Sequence, residues 1–337
     1  MTSDQNSKKQ LSNPLDPQKV AQVLATTIIT HPMTLVKTNI QLGYEPLPAS
    51  SKYFSFFKKG PKLPGLIPYS SKIVSEHGFF GLWRGVTGHT VSALTYYLAK
   101  HGLGPHVDQF FDDVVGNPDS EKESESEPNY SKDEIDQIAI KITKKCVKES
   151  LRETVCLFLA HPFYVWAIRS MGQLAGKENA YDTLLSSFKE IVENEGWSGF
   201  FKGLTAKIIF GISSIWVYEI GSQLVRKAVA VARENTDSSE LDNESRQAWD
   251  NNLQIFEAQS QLIAKTCLSS FVYPLNLTSI VMTTSGSRLV CATEQKNWYD
   301  QYKQLKLAKQ AQRGSAIFFG RSLPKGVAAF SDFASGL

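Results

Sequence analysis

Three long stretches place apolar residues on a helical period, and each is interrupted by one proline. In the first, residues 19–42, Thr27, Thr30, Thr34, Lys37 and Gln41 follow steps of 3, 4, 3 and 4, so they share one helical face. Ile29, Met33, Val36 and Ile40 fall on the opposite face. The pattern predicts a helix with a lipid side and a second side, either packed against neighbours or lined by water. Lys37 favours water, because a charge at membrane depth faces a cavity or a partner. Residues 138–174 begin with Lys141, Lys145, Lys148 and Arg152 at steps of 4, 3 and 4, again one face. That basic stripe reads as contact with lipid phosphate, as a charged vestibule, or as side chains snorkelling to the interface. Residues 253–284 put Gln261, Lys265, Ser269, Asn276, Ser279 and Thr283 on one side. At ~1.5 Å per residue each stretch is long enough to cross a hydrocarbon core of ~30 Å.

Weaker elements lie between these. Residues 87–101 form a less apolar helix in which His89 is a packing or interfacial residue. Residues 181–195 carry Leu184, Leu185, Phe188, Ile191 and Val192 at amphipathic spacing, which predicts a short surface helix. Residues 204–232 are the most apolar of all, with Ile208, Ile209, Phe210, Ile212, Ile215, Trp216 and Val217. Residues 112–136 alternate Glu121, Glu123, Glu125 and Glu127 with serine and other polar residues. They lack the apolar area to offset ordering and read as a disordered, solvated linker, or as an acidic lure for basic presequences.

The prolines recur in a common setting: His31-Pro32, His161-Pro162 and Tyr273-Pro274. One proline inside a helix is an accident, whereas three in the same context indicate repeats. A second echo follows each. The first is Glu76-His77-Gly78-Phe79-Phe80-Gly81-Leu82-Trp83-Arg84-Gly85, and the second is Glu195-Gly196-Trp197-Ser198-Gly199-Phe200-Phe201-Lys202-Gly203. The third is a faint Gly314-Ser315-Ala316-Ile317-Phe318-Phe319-Gly320-Arg321.

This two-part, threefold pattern resembles the mitochondrial carrier family from about Gln18 onward. A closer resemblance is to its divergent branch, the mitochondrial carrier homologue family. It rests on Gly43-Tyr44-Glu45-Pro46-Leu47-Pro48, on Leu63-Pro64-Gly65-Leu66, and on His161-Pro162-Phe163 with Arg169-Ser170-Met171. The resemblance implies an all-α membrane protein built as a carrier-like threefold repeat of helix pairs. The domain map is a disordered 1–17, a first repeat over 18–110, an acidic disordered loop over 111–137, and a second repeat over 138–232. A loop over 233–252 and a truncated third repeat over 253–337 complete it. After Arg321 only sixteen residues remain, too few and too polar for a sixth spanning helix.

Transporting carriers carry an acid two residues after each proline and a base five after it. Here those positions hold Thr34, Tyr164 and Asn276, then Lys37, Ala167 and Ser279. One charge of six survives, so the ion-pair gate of an alternating-access carrier is absent.

Composition narrows the field further. A net charge of +3 over 337 residues excludes an argument for nucleic acid. Mean hydropathy of −0.22 averages over apolar helices and highly charged connections. Cys146, Cys156, Cys267 and Cys291 have no disulfide or metal spacing. Residues 1–17 have neither a signal peptide's apolar region nor an arginine-rich transit pattern. No P-loop, GxSxG or HExxH motif occurs, and Glu219 and Asp182 read as isolated carboxylates, so no enzyme, cofactor or metal is expected.

The resemblance implies an insertase of the mitochondrial outer membrane for α-helical clients, tail-anchored ones included, acting through a polar groove open to lipid. Lipid scrambling follows from the same geometry, with membrane lipids and client proteins as partners. The expected groove-lining residues are Thr30, Thr34, Lys37, Lys148, Arg152, Arg169, Lys265 and Asn276. Two other readings are a mitochondrial solute carrier and a receptor that docks apoptotic regulators or metabolic proteins through its loops.

Overall fold

The first helix, α1 (Pro17–Leu42), starts where Asp16 accepts a hydrogen bond from the Gln18 N–H and proline occupies the first turn. It stops at Gly43, whose N–H returns to the carbonyls of Asn39 and Ile40. The structure is a computed structural model describing residues 16–53, 61–115, 135–235 and 243–322. After α1 come strand β1 (Lys62–Leu63), α2 (Leu66–His77), α3 (Val86–Leu98) and α4 (Gly104–Val115). Then follow α5 (Ile135–Gly172), α6 (Leu184–Glu195), α7 (Leu204–Asn235), α8 (Asn243–Met282), α9 (Trp298–Leu307) and strand β2 (Arg321–Ser322). The chain is therefore mostly helical. Helix α1 packs on α3, α3 on α5, α5 on α7 and α7 on α8, while α8 also touches α1.

Pro32, Pro162 and Pro274 lie inside α1, α5 and α8. Each removes the N–H that would bond to the carbonyl four residues back. Two of the freed carbonyls are rescued from outside: Ile28 accepts from Trp83 Nε1 at 3.1 Å, and Ser270 accepts from Gln312 Nε2 at 2.7 Å. In α5 the corresponding residue is Phe158, and the ring of Phe201 stacks on it with centroids 5.1 Å apart.

The residue before each proline also reaches a turn. His31 Nε2 lies 2.9 Å from the Arg84 carbonyl, His161 Nε2 2.9 Å from that of Lys202, and Tyr273 Oη 2.7 Å from that of Arg313. The next residues, Gly85, Gly203 and Gly314, have φ of 80°, 81° and 78°, a left-handed conformation open to glycine. The third turn is therefore Gln312-Arg313-Gly314, not the Phe318-Phe319-Gly320-Arg321 expected from sequence. A glutamine replaces the aromatic residue, which hid the match.

Beyond these turns the chain diverges. α3 begins directly after Gly85 and α7 directly after Gly203. After Gly314 the segment is not helical; it ends in β2, antiparallel to β1, with Leu63 opposite Arg321. Gly65 permits this, since a Cβ there would lie 2.8 Å from the Phe318 carbonyl oxygen. The Leu66 N–H donates to the Ile317 carbonyl at 2.6 Å. Arg321 grips both Glu45 carboxylate oxygens and the Pro64 carbonyl. Burial pushes the Glu45 carboxyl up from its usual range, and Arg321 pulls it back in part. The two sequence motifs around Glu45 and Gly65 thus hold the 317–322 segment as a strap.

Several boundaries differ from expectation. The second helix does not end near 101; a π-helical turn (Ala99–Leu103) carries it into α4 as far as Val115, past the domain edge set at 110. Part of the 233–252 loop is helical, because α7 runs to Asn235 and α8 starts at Asn243. α9 was not foreseen, its stretch being largely polar. Val36 and Ile40, expected to face lipid, are fully buried, while Ile29 and Met33 on the same stripe are exposed. The C-terminal half of α1 enters the main core with Leu35, Ile168, Met171, Ile280 and Tyr69, where helix ends converge. The 1–15, 116–134 and 323–337 segments, which hold most of the expected disordered termini, acidic loop and tail, lie outside the described residues.

Candidate functional site

The proline-kinked helices are laced together at one end. Asn39 Nδ2 donates to the Met171 carbonyl at 3.2 Å, Arg169 Nε to the Thr283 carbonyl at 2.8 Å, and Arg313 Nη2 to the Gln41 carbonyl at 2.6 Å. Met171, Thr283 and Gln41 each stand nine residues after their proline. Gln41 Nε2 also reaches Tyr273 Oη at 2.9 Å. Burial lowers the Arg313 guanidinium to about 10, with nearby Glu45 opposing that shift only in part, and the side chain bonds Gln41 and Gln310.

The expected groove residues divide into three groups here. Arg169 is not in a groove: its side chain has no exposure and forms a fork on Glu195, 2.5 and 2.9 Å, with Tyr181 beside it. Lys148 and Arg152 are not free vestibule charges either. They pair with Asp112 at 2.5 Å and Asp108 at 2.7 Å and so fasten α5 to α4. Lys145 of the same stripe pairs with Glu219 at 2.8 Å. The acids were missed because Asp108 and Asp112 lie on an unforeseen helix. Glu219 is therefore not isolated, and neither is Asp182, which meets Arg84 at 3.1 Å and Gln173 at 2.5 Å.

Thr30, Thr34, Lys37, Lys265 and Asn276 remain accessible or half-buried. The Thr30 and Thr34 hydroxyls bond back to the carbonyls of Thr26 and Thr30, which leaves their faces polar without a partner helix. Lys37 is half-buried and makes no ion pair or side-chain hydrogen bond among the described residues. Asn276 Oδ1 accepts from Lys207 Nζ at 3.3 Å, and Lys207 also lies 4.4 Å from the Tyr164 ring centroid. Lys207 escaped notice in the sequence, although a lone lysine beside Ile208, Ile209 and Phe210 in the most apolar helix was the available signal. Among the described residues no ion pair joins the positions of Thr34, Lys37, Tyr164, Ala167, Asn276 and Ser279.

Two regions border this polar interior. The first is where α1 and α8 meet. Among the described residues Gln41–Tyr273 is the one side-chain hydrogen bond joining them. Away from it, Thr26, Ile29 and Thr30 on α1 are exposed, as are Leu262, Ile263, Thr266 and Phe271 on α8. The second is a cleft of about 480 Å³ bounded by α5, α7 and α8 and containing Glu149, Glu153, Tyr218, Glu219 and Lys265. Lys265 lines this cleft, and Lys148, Arg152 and Arg169 do not.

Among the described residues one helical stretch, Trp197–Ala232, is long and apolar enough to cross a membrane, and little of it is buried in the protein. Helices α1, α5 and α8 have the length, at 26, 38 and 40 residues, without that apolarity.

Comparison with known proteins finds the family described as Mitochondrial carrier protein over residues 20–112 and 141–228. The human protein Mitochondrial carrier homolog 2 is 28% identical over 305 residues, 89% of this chain and 92% of that protein. Mitochondrial carrier homolog 1 of Mus musculus is 26% identical over 312 residues, 90% of this chain and 76% of that protein. The Mitochondrial glycine transporter of Mycosarcoma maydis is 28% identical over 192 residues, 54% of this chain and 45% of that protein.

Proposed function

The chain belongs to the mitochondrial carrier family, and from that premise we propose that it is a mitochondrial outer-membrane insertase. Its clients are α-helical proteins, tail-anchored ones included, which enter the bilayer sideways through the opening between α1 and α8. Lipid headgroups cross by the same route. The helix pairs form a threefold repeat in this reading, with no sixth spanning helix after the third turn among the described residues.

The observation that carries the proposal is the uncovered edge. Where α3 and α7 follow their turns, residues 315–322 are non-helical and are tied to β1 and to the start of α2. Exposed threonines stand among exposed apolar residues on both α1 and α8. A polar segment entering hydrocarbon loses water, a penalty of several kcal/mol per unsatisfied group, and hydroxyls with water at that edge reduce it (about 2–7 kcal/mol per group without compensation). Lys37, half-buried and unpaired, raises the hydration of the same wall. The mechanism needs no covalent step.

A solute carrier is the second reading, in keeping with the named transporter among the relatives. The absence of paired charges at the gate positions among the described residues weighs against it, as does the lacing at the Gln41 end.

The test is site-specific photo-crosslinking to a tail-anchored client during insertion into proteoliposomes. Photoreactive residues at 30 and 266 are expected to label client, and one at 224, exposed on α7, to label lipid. Equal client labelling from all three overturns the proposal. Lys37→Glu is expected to lower insertion severalfold while folded protein is retained. Loss of folded protein as its sole effect removes α1 from the groove.

A further inference from the structure

Lys207 stands near the start of α7, within the stretch Trp197–Ala232 that is long and apolar enough to cross a membrane. The repeat does not call for a cation there. Four residues after each left-handed glycine come His89, Lys207 and Phe318, and His89 is engaged with His31, Nδ1 to Nδ1 at 3.1 Å. Nor does the fold neutralise Lys207, which enters no ion pair among the described residues. The residue is half-buried among neutral groups. Its Nζ lies 3.4 Å from Tyr164 Oη and 3.3 Å from Asn276 Oδ1, with the Tyr164 and Phe210 ring centroids at 4.4 and 5.7 Å. Both oxygens accept from the ammonium. The Tyr164 O–H, the Asn276 amide N–H groups and the third ammonium N–H are then donors with no acceptor among the described residues. A charge in such a helix that the fold leaves unpaired marks a functional site.

Donors from α5, α7 and α8 around one positive charge suit a small anion that only accepts hydrogen bonds. Resting on the insertase reading above, we propose that this cluster receives the C-terminal carboxylate of a tail-anchored client. Such a client ends soon after its hydrophobic segment, so its terminal carboxylate must leave water when the segment inserts. A carboxylate taken out of water without a partner is among the costliest groups to move. Lys207 supplies the counter-charge, and Tyr164 and Asn276 supply further donors to the two carboxylate oxygens. One ammonium and one carboxylate also cancel, so no net charge is left behind. The two aromatic rings fix the ammonium in place before the client arrives.

The experiment compares two synthetic tail segments of one sequence, the first ending in a free carboxylate and the second in an amide, which removes the charge. Both are offered to proteoliposomes of the full chain. Lys207→Met is expected to lower the acid-to-amide ratio of insertion rates about tenfold, as loss of one charge-assisted contact does. Lys207→Arg is expected to preserve the ratio. A lysine that only braces α7 against α8 would slow both segments alike on removal. A ratio untouched by Lys207→Met therefore overturns the carboxylate site and leaves the insertase reading standing. A second measurement uses wild-type protein and depends neither on the variant's folding nor on insertion. A photoreactive residue beside the terminus of the acid-ended segment is expected to label the peptides holding Tyr164, Lys207 or Asn276. Excess acid-ended segment suppresses that labelling, and excess amide-ended segment does not. Equal suppression by both, or labelling elsewhere, overturns the site. If the wild type inserts neither segment, the insertase reading falls, and the labelling by itself decides the carboxylate site.

Discussion

Arg321 holds Glu45 through two contacts of 2.7 Å, one to each carboxylate oxygen, and so ties β2 to the loop that follows α1. Both side chains are largely buried, and Arg321 gives two further N–H donors to the Pro64 carbonyl. Removing Glu45 leaves a buried guanidinium without its counter-charge. Glu45→Ala is expected to destabilise the protein by about 3–5 kcal/mol, and Glu45→Leu with Arg321→Met to recover much of that loss. Thermal unfolding in detergent, with proteolysis at the exposed Phe318 and Phe319 as a local readout, measures both.

Arg169 and Glu195 give a second, independent case. Arg169→Met is expected to cost about 3–5 kcal/mol through the stranded carboxylate, and a further Glu195→Leu to restore part of it. A groove-lining arginine would behave otherwise, with stability intact and activity changed. Unfolding curves for the single and double variants separate the two roles.

Trp83 satisfies the carbonyl that Pro32 leaves open on Ile28. Trp83→Phe keeps the ring and deletes the donor, so a loss of about 0.5–1.5 kcal/mol is expected, the net value of one hydrogen bond. Gln312→Ala tests the equivalent contact to Ser270 in α8. Hydrogen exchange at the two kinks, compared with the α5 kink, reports the local opening.

Burial pushes the Cys291 thiol up to about 12. Its folded value exceeds its unfolded one, so the folded state retains the proton as pH rises from the ordinary thiol range toward 12. Unfolding is therefore increasingly favoured across that window, where only the unfolded chain gains a thiolate. At pH 8 iodoacetamide is expected to label Cys291 at least about tenfold more slowly in folded protein than after unfolding in detergent. Mass spectrometry of the alkylated peptides checks this.

The sequence by itself determined the kinked helices and their approximate limits, because a 3.6-residue period and three His/Tyr-Pro steps are local properties of the chain. It also marked Glu45 and Gly65 as unusual, without saying why. Only the tertiary structure decided where each polar stripe points. A helical face gives a direction around an axis, not the neighbour met at a given height. Val36 and Ile40 are buried because the laced ends close in around them, while Ile29, about two and three turns earlier on the same stripe, is bare. Lys148, Arg152 and Arg169 look like groove residues until Asp112, Asp108 and Glu195 arrive from other elements to neutralise them. The third turn was hidden for a related reason. What defines it is a carbonyl held by Tyr273 and a glycine in the left-handed region, and Gln312 does by hydrogen bonding what Trp83 does with an indole.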